Sequence, residues 1–438
     1  MQCYIKLWLT FRSSGYLPTV AIFIPELDIA AIDSKYNVRP FKQAEPSAVT
    51  GYNTVELEAL DFSQYKDGLE GYESRKRLAS SLEKSISTYG FFNITNWGFP
   101  SEDLEKLKSY SQAILDLPQE EKLQFLSGAM KTDLEDRSKS LGAERGHGFK
   151  PRGYWTINNG VQDSIEFYNF RDILHDGPFF IEKKYPEVAQ AHLPEFASYY
   201  RYLHFNVLRR LLNLCDIILQ LPEGYLWENH FKVWKGDLKM NSGSGVARLM
   251  HYLAMPVEDE EKTGGTWLRG HSDSGAFTFI TSQPILSLQI RDYYTGEWKY
   301  VGHKPDSLIV NIGDAMEFLT GGYFKSSIHR VVAPPDDQRQ FKRLVMIYFN
   351  NLALNTIADP TSLNSPKLRS LGFNKPEEWD TITQFQWDDE KSRLYGAKKI
   401  NSKPGDEPEL VKLFGRNHER WHQAEGDLRL EKLSLASV

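Results

Sequence analysis

Cysteine is nearly absent: the 438 residues include only Cys3 and Cys215. Two thiols cannot supply a disulfide framework, so the chain is expected to rely on its core and to sit in a reducing compartment, the cytoplasm. Also missing is any run of about 20 apolar residues, which argues against a membrane-crossing helix. The first residues carry two short apolar patches split by Arg12, Ser13, Ser14, Gly15 and Pro18, unlike the single unbroken apolar region of a secretory signal. Excess positive charge is lacking as well. Lys plus Arg number 52 against 58 for Asp plus Glu, a net charge of −6, so the basic face of a nucleic-acid binder is not expected. No internal repeat or low-complexity tract is present. Hydrophobic residues at 41% and charged residues at 25% are ordinary globular usage and exclude disorder, collagen and coiled coil as descriptions of the whole chain. Aromatic side chains are plentiful, 13% of the residues, which suits a large core or a packed pocket.

Along the chain, residues 1–52 carry little periodicity and form a poorly assigned extension. Residues 53–240 read as an α/β region packing on the core. Val55, Leu57 and Ala59 alternate with Glu56 and Glu58 as in a half-buried strand. A helix follows over 75–88, a short strand over 90–95, and another helix from Ser101, whose hydroxyl is placed to cap it with Glu102 and Asp103 in the first turn. Residues 128–165 look like a polar surface segment, and the longest helical pattern runs from Pro186 until Pro222 stops it. Residues 241–355 change texture. Branched and aromatic runs at 276–281, 286–290, 308–312 and 344–349, separated by Gly, Pro and Asp turns, predict an antiparallel barrel or jelly roll. Residues 356–438 read as a helical or irregular region, with helices near 376–383 and 409–422 and disorder over the last fifteen or so. The expected fold class is therefore mainly β with flanking helices, α+β.

The chemistry gathers around Arg269-Gly270-His271-Ser272-Asp273. On extended backbone, residues two apart project to the same face, so His271 and Asp273 can reach one point. A lone His-x-Asp is common in capped turns and needs a third ligand. His329, in Ser326-Ser327-Ile328-His329-Arg330-Val331, is the candidate. Two imidazoles and one carboxylate on one face of a metal leave positions open for a chelator and dioxygen, as suits non-haem Fe(II); closed structural zinc would want a fourth ligand. An acid bound beside such a metal calls for a cation. Arg339 lies in a polar turn, whereas Arg343 heads the apolar run Leu344-Val345-Met346-Ile347-Tyr348-Phe349. A hairpin centred on Asp336 would pair residue 343 with residue 329, and cross-strand partners face the same side. Arg343 could then clamp a carboxylate with its planar fork.

The string Gly270-His271-Ser272-Asp273, Asn311-Ile312-Gly313-Asp314, His329-Arg330-Val331 and Arg343 resembles the isopenicillin N synthase-like group of Fe(II)/2-oxoglutarate-dependent dioxygenases. Tyr89-Gly90-Phe91-Phe92-Asn93-Ile94 with Asn96-Trp97-Gly98 is similar to that group's N-terminal signature. The resemblance covers residues 53 to 355 and leans toward fungal secondary-metabolite members. It implies a double-stranded β-helix core, iron held by His271, Asp273 and His329, Arg343 on the distal carboxylate of 2-oxoglutarate, and Tyr252 as a second cosubstrate contact. It further implies oxidation of a small organic substrate by hydrogen abstraction, as hydroxylation, desaturation or ring rearrangement, with succinate and carbon dioxide released. Two positions depart from the pattern. Val345 stands where relatives carry the serine of Arg-x-Ser, and Thr320-Gly321-Gly322 replaces Ser-Asn-Gly.

A same-fold Fe(II) oxidase that does without 2-oxoglutarate, a zinc or manganese enzyme, and a silent binding protein are the competing expectations. A small-molecule substrate is expected, with no nucleic-acid or membrane partner; the substrate-binding residues and the oligomeric state are left open. Tyr154, Trp155, Phe167 and Tyr168 are weighed as pocket lining against core, with core favoured. His251 is read as structural, and Asn311 and Asp314 as residues that satisfy local backbone around a turn.

Overall fold

The computed structural model describes residues 27–127, 146–155, 157, 159–171, 173–174, 184–232, 245–292, 295–396 and 409–420. Its strands, in chain order, are β1 Thr54–Val55, β2 Ala59–Asp61, β3 Phe91–Thr95, β4 Gly148–Lys150, β5 Ile165–Arg171, β6 Val246–Tyr252, β7 Thr266–His271 and β8 Phe277–Thr281. They continue with β9 Leu288–Arg291, β10 Trp298–Val301, β11 Leu308–Ile312, β12 His329–Val332, β13 Arg343–Asn350, β14 Glu409–Leu413 and β15 Arg416–Arg420. Eight form one sheet in the order β2-β3-β11-β8-β13-β6-β5-β4, and five form a second, β1-β10-β9-β12-β7. The helices that matter for the site are α1 Tyr72–Ile86, α2 Ser101–Leu115, α3 Leu193–Tyr202, α4 Arg209–Ile218, α5 Asp314–Leu319 and α6 Gln384–Gly396. The molecule is thus a mixture of sheets and helices, as the α+β reading expects. No helix among the described residues is long and apolar enough to cross a membrane.

The larger sheet is buried on both faces, and strand alternation divides its side chains between two cores. From β13, Leu344, Met346 and Tyr348 join a cluster with the helices, including Leu82 and Ile86 of α1, Leu107 and Ile114 of α2 and Leu211 and Leu212 of α4. Val345 and Ile347, from the opposite face, join Met250, Tyr252, Ile280, Leu288 and Val331 between the two sheets. Both faces of β13 being apolar, the sequence shows a continuous run with no period of two.

Several expectations need correction. The strand expected from Val55 to Ala59 is two short strands in different sheets, β1 parallel to β10 and β2 parallel to β3, because the chain passes there from one sheet's edge to the other's. Ser101 begins α2 but does not cap it; Pro100 occupies the cap position, and Glu102 and Asp103 do fill the first turn. The described part of 128–165 is only partly surface: Arg152, Gly153, Asn159, Gly160 and Gln162 are exposed, but β4 and Phe149, Ile157, Val161 and Asp163 are buried. The long helical run is interrupted at His192, since Pro194 in the first turn of α3 cannot extend a preceding helix. Residues 376–383 are not helical; α6 begins at Gln384. Of the helix expected over 409–422, the described residues 409–420 are instead the hairpin β14–β15, turned at Phe414 and Gly415 with φ of 50° and 77°, a left-handed pair that closes a two-residue hairpin and is incompatible with a helix. The C-terminal fifteen residues lie outside the described set.

The largest correction concerns β12 and β13. They do not form a hairpin. His329 pairs with His271 and Ile290 in the smaller sheet, whereas Arg343 pairs with Tyr252 in the larger. Pro334 and Pro335 cannot donate to a ladder, and the connection instead crosses between sheets. Gln338 pins the crossing: its side chain accepts from the Leu286 amide at 2.8 Å and donates to the carbonyls of Glu45 at 2.8 Å and Pro284 at 3.0 Å.

Candidate metal centre

His271 ends β7 and His329 opens the neighbouring β12, so the two imidazoles lie side by side with ring centroids 4.3 Å apart. Asp273 follows in the turn to β8. Its Oδ1 stands 3.7 Å from His271 Nε2 and 3.9 Å from His329 Nε2, and ligand atoms of the three residues all fall within 4.8 Å of one another. The contacts behind them settle which atoms face inward. His271 Nδ1 lies 2.9 Å from the Arg269 carbonyl and His329 Nδ1 3.2 Å from the Ser327 carbonyl. A carbonyl only accepts, so each Nδ1 carries the proton and each Nε2 offers a lone pair. Asp273 Oδ2 accepts from Thr278 Oγ1 at 2.6 Å and Asn311 Nδ2 at 2.9 Å, which leaves Oδ1 for the centre.

The electrostatics agree with that donor set. Burial lowers the His271 imidazole to a pKa of about 4, helped by the nearby His329, so it is neutral at pH 7. Burial alone would raise the Asp273 carboxyl, but the two imidazoles and the bonds from Thr278 and Asn311 outweigh it and hold the group at about 2, ionised. Two imidazole nitrogens and one carboxylate oxygen, with no fourth His, Cys, Asp or Glu joining the group among the described residues, match an open site for a ferrous ion better than a closed zinc site.

Arg343 reaches the same cavity from the opposite sheet, although the hairpin expected to bring it there does not exist. The cavity is lined by Arg248, Met250 and Tyr252 of β6, by Leu268 and His271 of β7, and by residues of β8, β9, β12 and β13 that include Arg343, Val345 and Phe349. Its open space is about 50 Å³. Arg248, Leu268, His271 and Phe349, the half-buried ones, mark the mouth. Arg343 is at the closed end, 4% exposed, with its guanidinium carbon 4.7 Å from the centre of the Tyr252 ring. Its Nε is buried without a hydrogen-bond partner, and no acid among the described residues pairs with it. A buried cation lacking an anion is costly and is a place built to receive one. Val345, two residues along, faces the cavity without any hydroxyl.

The local sequence does not mark Thr278 and Asn311 as carboxylate partners. Asn311, expected to satisfy backbone near its turn, does reach the Ile312 carbonyl at 3.5 Å, but its shorter bond, 2.9 Å, is to Asp273. Its signal is one amide in the apolar strand Leu308-Ile309-Val310-Asn311-Ile312. Asp314 has a similar expected turn role, but it accepts from Ser326 Oγ at 2.9 Å, Trp387 Nε1 at 3.2 Å and Lys391 Nζ at 2.5 Å. Lys391, on α6, also donates to the Ser272 carbonyl at 2.8 Å, between the first two candidate ligands. Nothing in the local sequence announces this clamp. Of the weighed aromatics, Trp155 and Phe167 pack with the inter-sheet cluster and Tyr154 and Tyr168 with the helical one. His251 is buried on the helical side of β6 and is absent from the cavity lining.

The Lys391 clamp yields a prediction. Substituting Lys391→Met leaves the Asp314 carboxylate buried without its cation and is expected to destabilise the fold by about 3 kcal/mol. Mn(II) affinity should fall roughly tenfold as the Ser272 backbone loosens. Denaturant unfolding and metal titration measure the two; a drop in stability with unchanged metal affinity would make the clamp purely structural.

Comparison with known proteins agrees with this geometry. Residues 244–352 match the model of the 2OG-Fe(II) oxygenase superfamily, and residues 57–187 match that of the non-haem dioxygenase in morphine synthesis N-terminal region. The 2-oxoglutarate-dependent dioxygenase citB of Monascus ruber is 26% identical over 336 residues, 75% of this chain and 92% of its own. The 2-oxoglutarate-dependent dioxygenase ecdK of Aspergillus rugulosus is 27% identical over 297 residues, 64% of this chain and 82% of its own. In fold, the chain is similar to a full-length Neurospora crassa protein solved in complex with alpha-KG, with a TM-score of 0.60 at 18% identity, covering 79% of this chain and 98% of that one. With both segments matched in order and the candidate His-Asp-His group in the second, the chain belongs to the 2-oxoglutarate–Fe(II) oxygenase superfamily and is a 2-oxoglutarate-dependent dioxygenase.

Proposed function

We propose that the two facing sheets are a double-stranded β-helix in which His271, Asp273 and His329 hold ferrous iron, Arg343 receives the distal carboxylate of 2-oxoglutarate, and Tyr252 shapes that end of the site. The substrate is a small organic molecule of the secondary-metabolite class. The observation that carries this reading is a single one: three side chains able to ligate a metal and a buried guanidinium, with no anion paired to it among the described residues, share one cavity, although they come from opposite sheets. The relatives named above, two of them fungal 2-oxoglutarate-dependent dioxygenases, support it.

Each residue has a definable task. The carbonyls of Arg269 and Ser327 fix both imidazoles in the tautomer that can coordinate, and Thr278 and Asn311 keep Asp273 ionised and oriented. Arg343 supplies charge and a planar fork to a carboxylate, which places the other end of a five-carbon dianion toward the triad. The apolar walls, Ile280, Leu288, Val331, Val345 and Ile347, exclude water and strengthen those charges. Bound iron would supply dioxygen activation, coupling decarboxylation of 2-oxoglutarate to hydrogen abstraction from the substrate.

Succinate decides between this function and an oxidase that does without 2-oxoglutarate, the reading Val345 would favour. With substrate present, one succinate is expected per product formed, and none under nitrogen. Product without stoichiometric succinate would overturn the cosubstrate assignment, and full turnover without oxygen would overturn the reaction class.

A further inference from the structure

A second arginine lines the cavity, and the cosubstrate reading gives it no task. On β6, residues 248, 250 and 252 face the cavity together. Tyr252 lies opposite Arg343, whereas Arg248 lies opposite Ile347. The two arginines are therefore anchored four residues apart along paired strands, roughly 13 Å. Ile347 in turn pairs with Ile280, and Phe349 with Thr278, the residue that holds Asp273. Arg248 thus stands at the metal end and at the mouth, and Arg343 at the closed end.

The Arg248 guanidinium is built in. Its carbon lies 3.7 Å from the centre of the Phe167 ring and 4.9 Å from that of Phe349, and its Nε donates to Asn169 Oδ1 at 2.8 Å. Stacking and one neutral hydrogen bond fix the plane of the group while leaving both terminal nitrogens free of any ion pair among the described residues. Charge says what they await. Two guanidiniums and a divalent metal against the single carboxylate of Asp273 leave three positive charges in the cavity. The 2-oxoglutarate dianion balances two of them. One remains, in a site whose other walls, Tyr252 and Thr278 aside, are apolar, where an unbalanced charge is expensive.

We propose that Arg248 is the specificity residue for the primary substrate, and that this substrate is an organic acid whose carboxylate pairs with the Arg248 terminal nitrogens at the mouth. The inference rests on the reading of Arg343 as the cosubstrate anchor, and its test separates the two. Enzyme loaded with Mn(II) and 2-oxoglutarate under nitrogen is titrated by calorimetry with matched acids and amides of increasing size: propionate and propionamide, benzoate and benzamide, trans-cinnamate and cinnamamide. At least one acid should bind roughly ten- to hundredfold tighter than its amide, the range of a charge-assisted hydrogen bond. That preference should vanish in Arg248→Leu and partly survive in Arg248→Lys, with the Kd for 2-oxoglutarate unchanged in both. Equal binding of acid and amide in every pair, or a preference that persists in Arg248→Leu, overturns the proposal. So does a loss of 2-oxoglutarate affinity in Arg248→Leu as large as in Arg343→Leu, which would assign the group to the cosubstrate. If instead Arg343→Leu binds 2-oxoglutarate normally, it is the underlying cosubstrate reading that fails, whatever Arg248 does.

Discussion

Replacing His329 by alanine is expected to abolish iron-dependent turnover and to weaken Mn(II) binding by more than about 100-fold. The loss should exceed the roughly 10- to 100-fold that follows removal of a residue merely supporting a metal ligand. In the proposed site His329 supplies one of the three donor atoms found among the described residues, and it is the one contributed by a separate stretch of sequence, so no neighbour can replace it. Asn311→Ala is the graded control. It leaves all three donors but removes one of the two bonds that orient Asp273, and it should weaken the metal by about 10- to 100-fold. Anaerobic metal titration together with a melting curve measures both effects. An Asn311→Ala enzyme that binds metal less well than His329→Ala would contradict the ligand assignment, and so would unchanged turnover in His329→Ala.

Arg343→Leu carries the second large effect, and its two consequences have opposite sign. Losing a charge-assisted clamp should cost about 1.5–3 kcal/mol of 2-oxoglutarate binding, roughly 10- to 100-fold in Kd, and the thermal stabilisation by added 2-oxoglutarate should shrink in step. Without the ligand, however, the wild-type guanidinium is buried with no acid beside it among the described residues. Replacing it with an apolar side chain of similar reach should leave the unliganded protein as stable as before, or more so. Lower unliganded stability combined with intact 2-oxoglutarate binding would show that Arg343 serves the fold. The converse change, Val345→Ser, restores a hydroxyl beside the clamp and is expected to tighten 2-oxoglutarate binding by about 1.5 kcal/mol.

The contrast between His329 and Arg343 shows where sequence reasoning succeeds for the wrong reason. Spacing selects Arg343 by pairing it with His329 in a hairpin, and that pairing does not occur. It reaches the cavity all the same, because it begins a strand whose alternate side chains face between the sheets, with Val345 and Ile347 beyond it. His271 and Asp273 need no such help: although Asp273 lies in the turn after β7 and not on extended backbone, two residues of chain are too short to carry it away from His271. Lys391 and Arg248 are invisible in the sequence for a common reason. Each acts through partners far away in the chain, Lys391 on Ser272 and Asp314, Arg248 against Phe167 and Phe349, and a lysine or arginine with distant partners looks locally like any solvated cation.

The sequence by itself determined the donor types, two imidazoles and a carboxylate, together with the α+β class and the chemistry these permit, because residue identity and short-range spacing are properties of the chain. The tertiary structure alone decided that β12 and β13 belong to different sheets, that two arginines stand at opposite ends of one cavity, and that the C-terminal α6 braces the turn between His271 and Asp273. Those facts depend on which strand edges find one another. In a sheet buried on both faces the hydrophobic pattern carries no period, so partner choice is left to packing across the whole molecule.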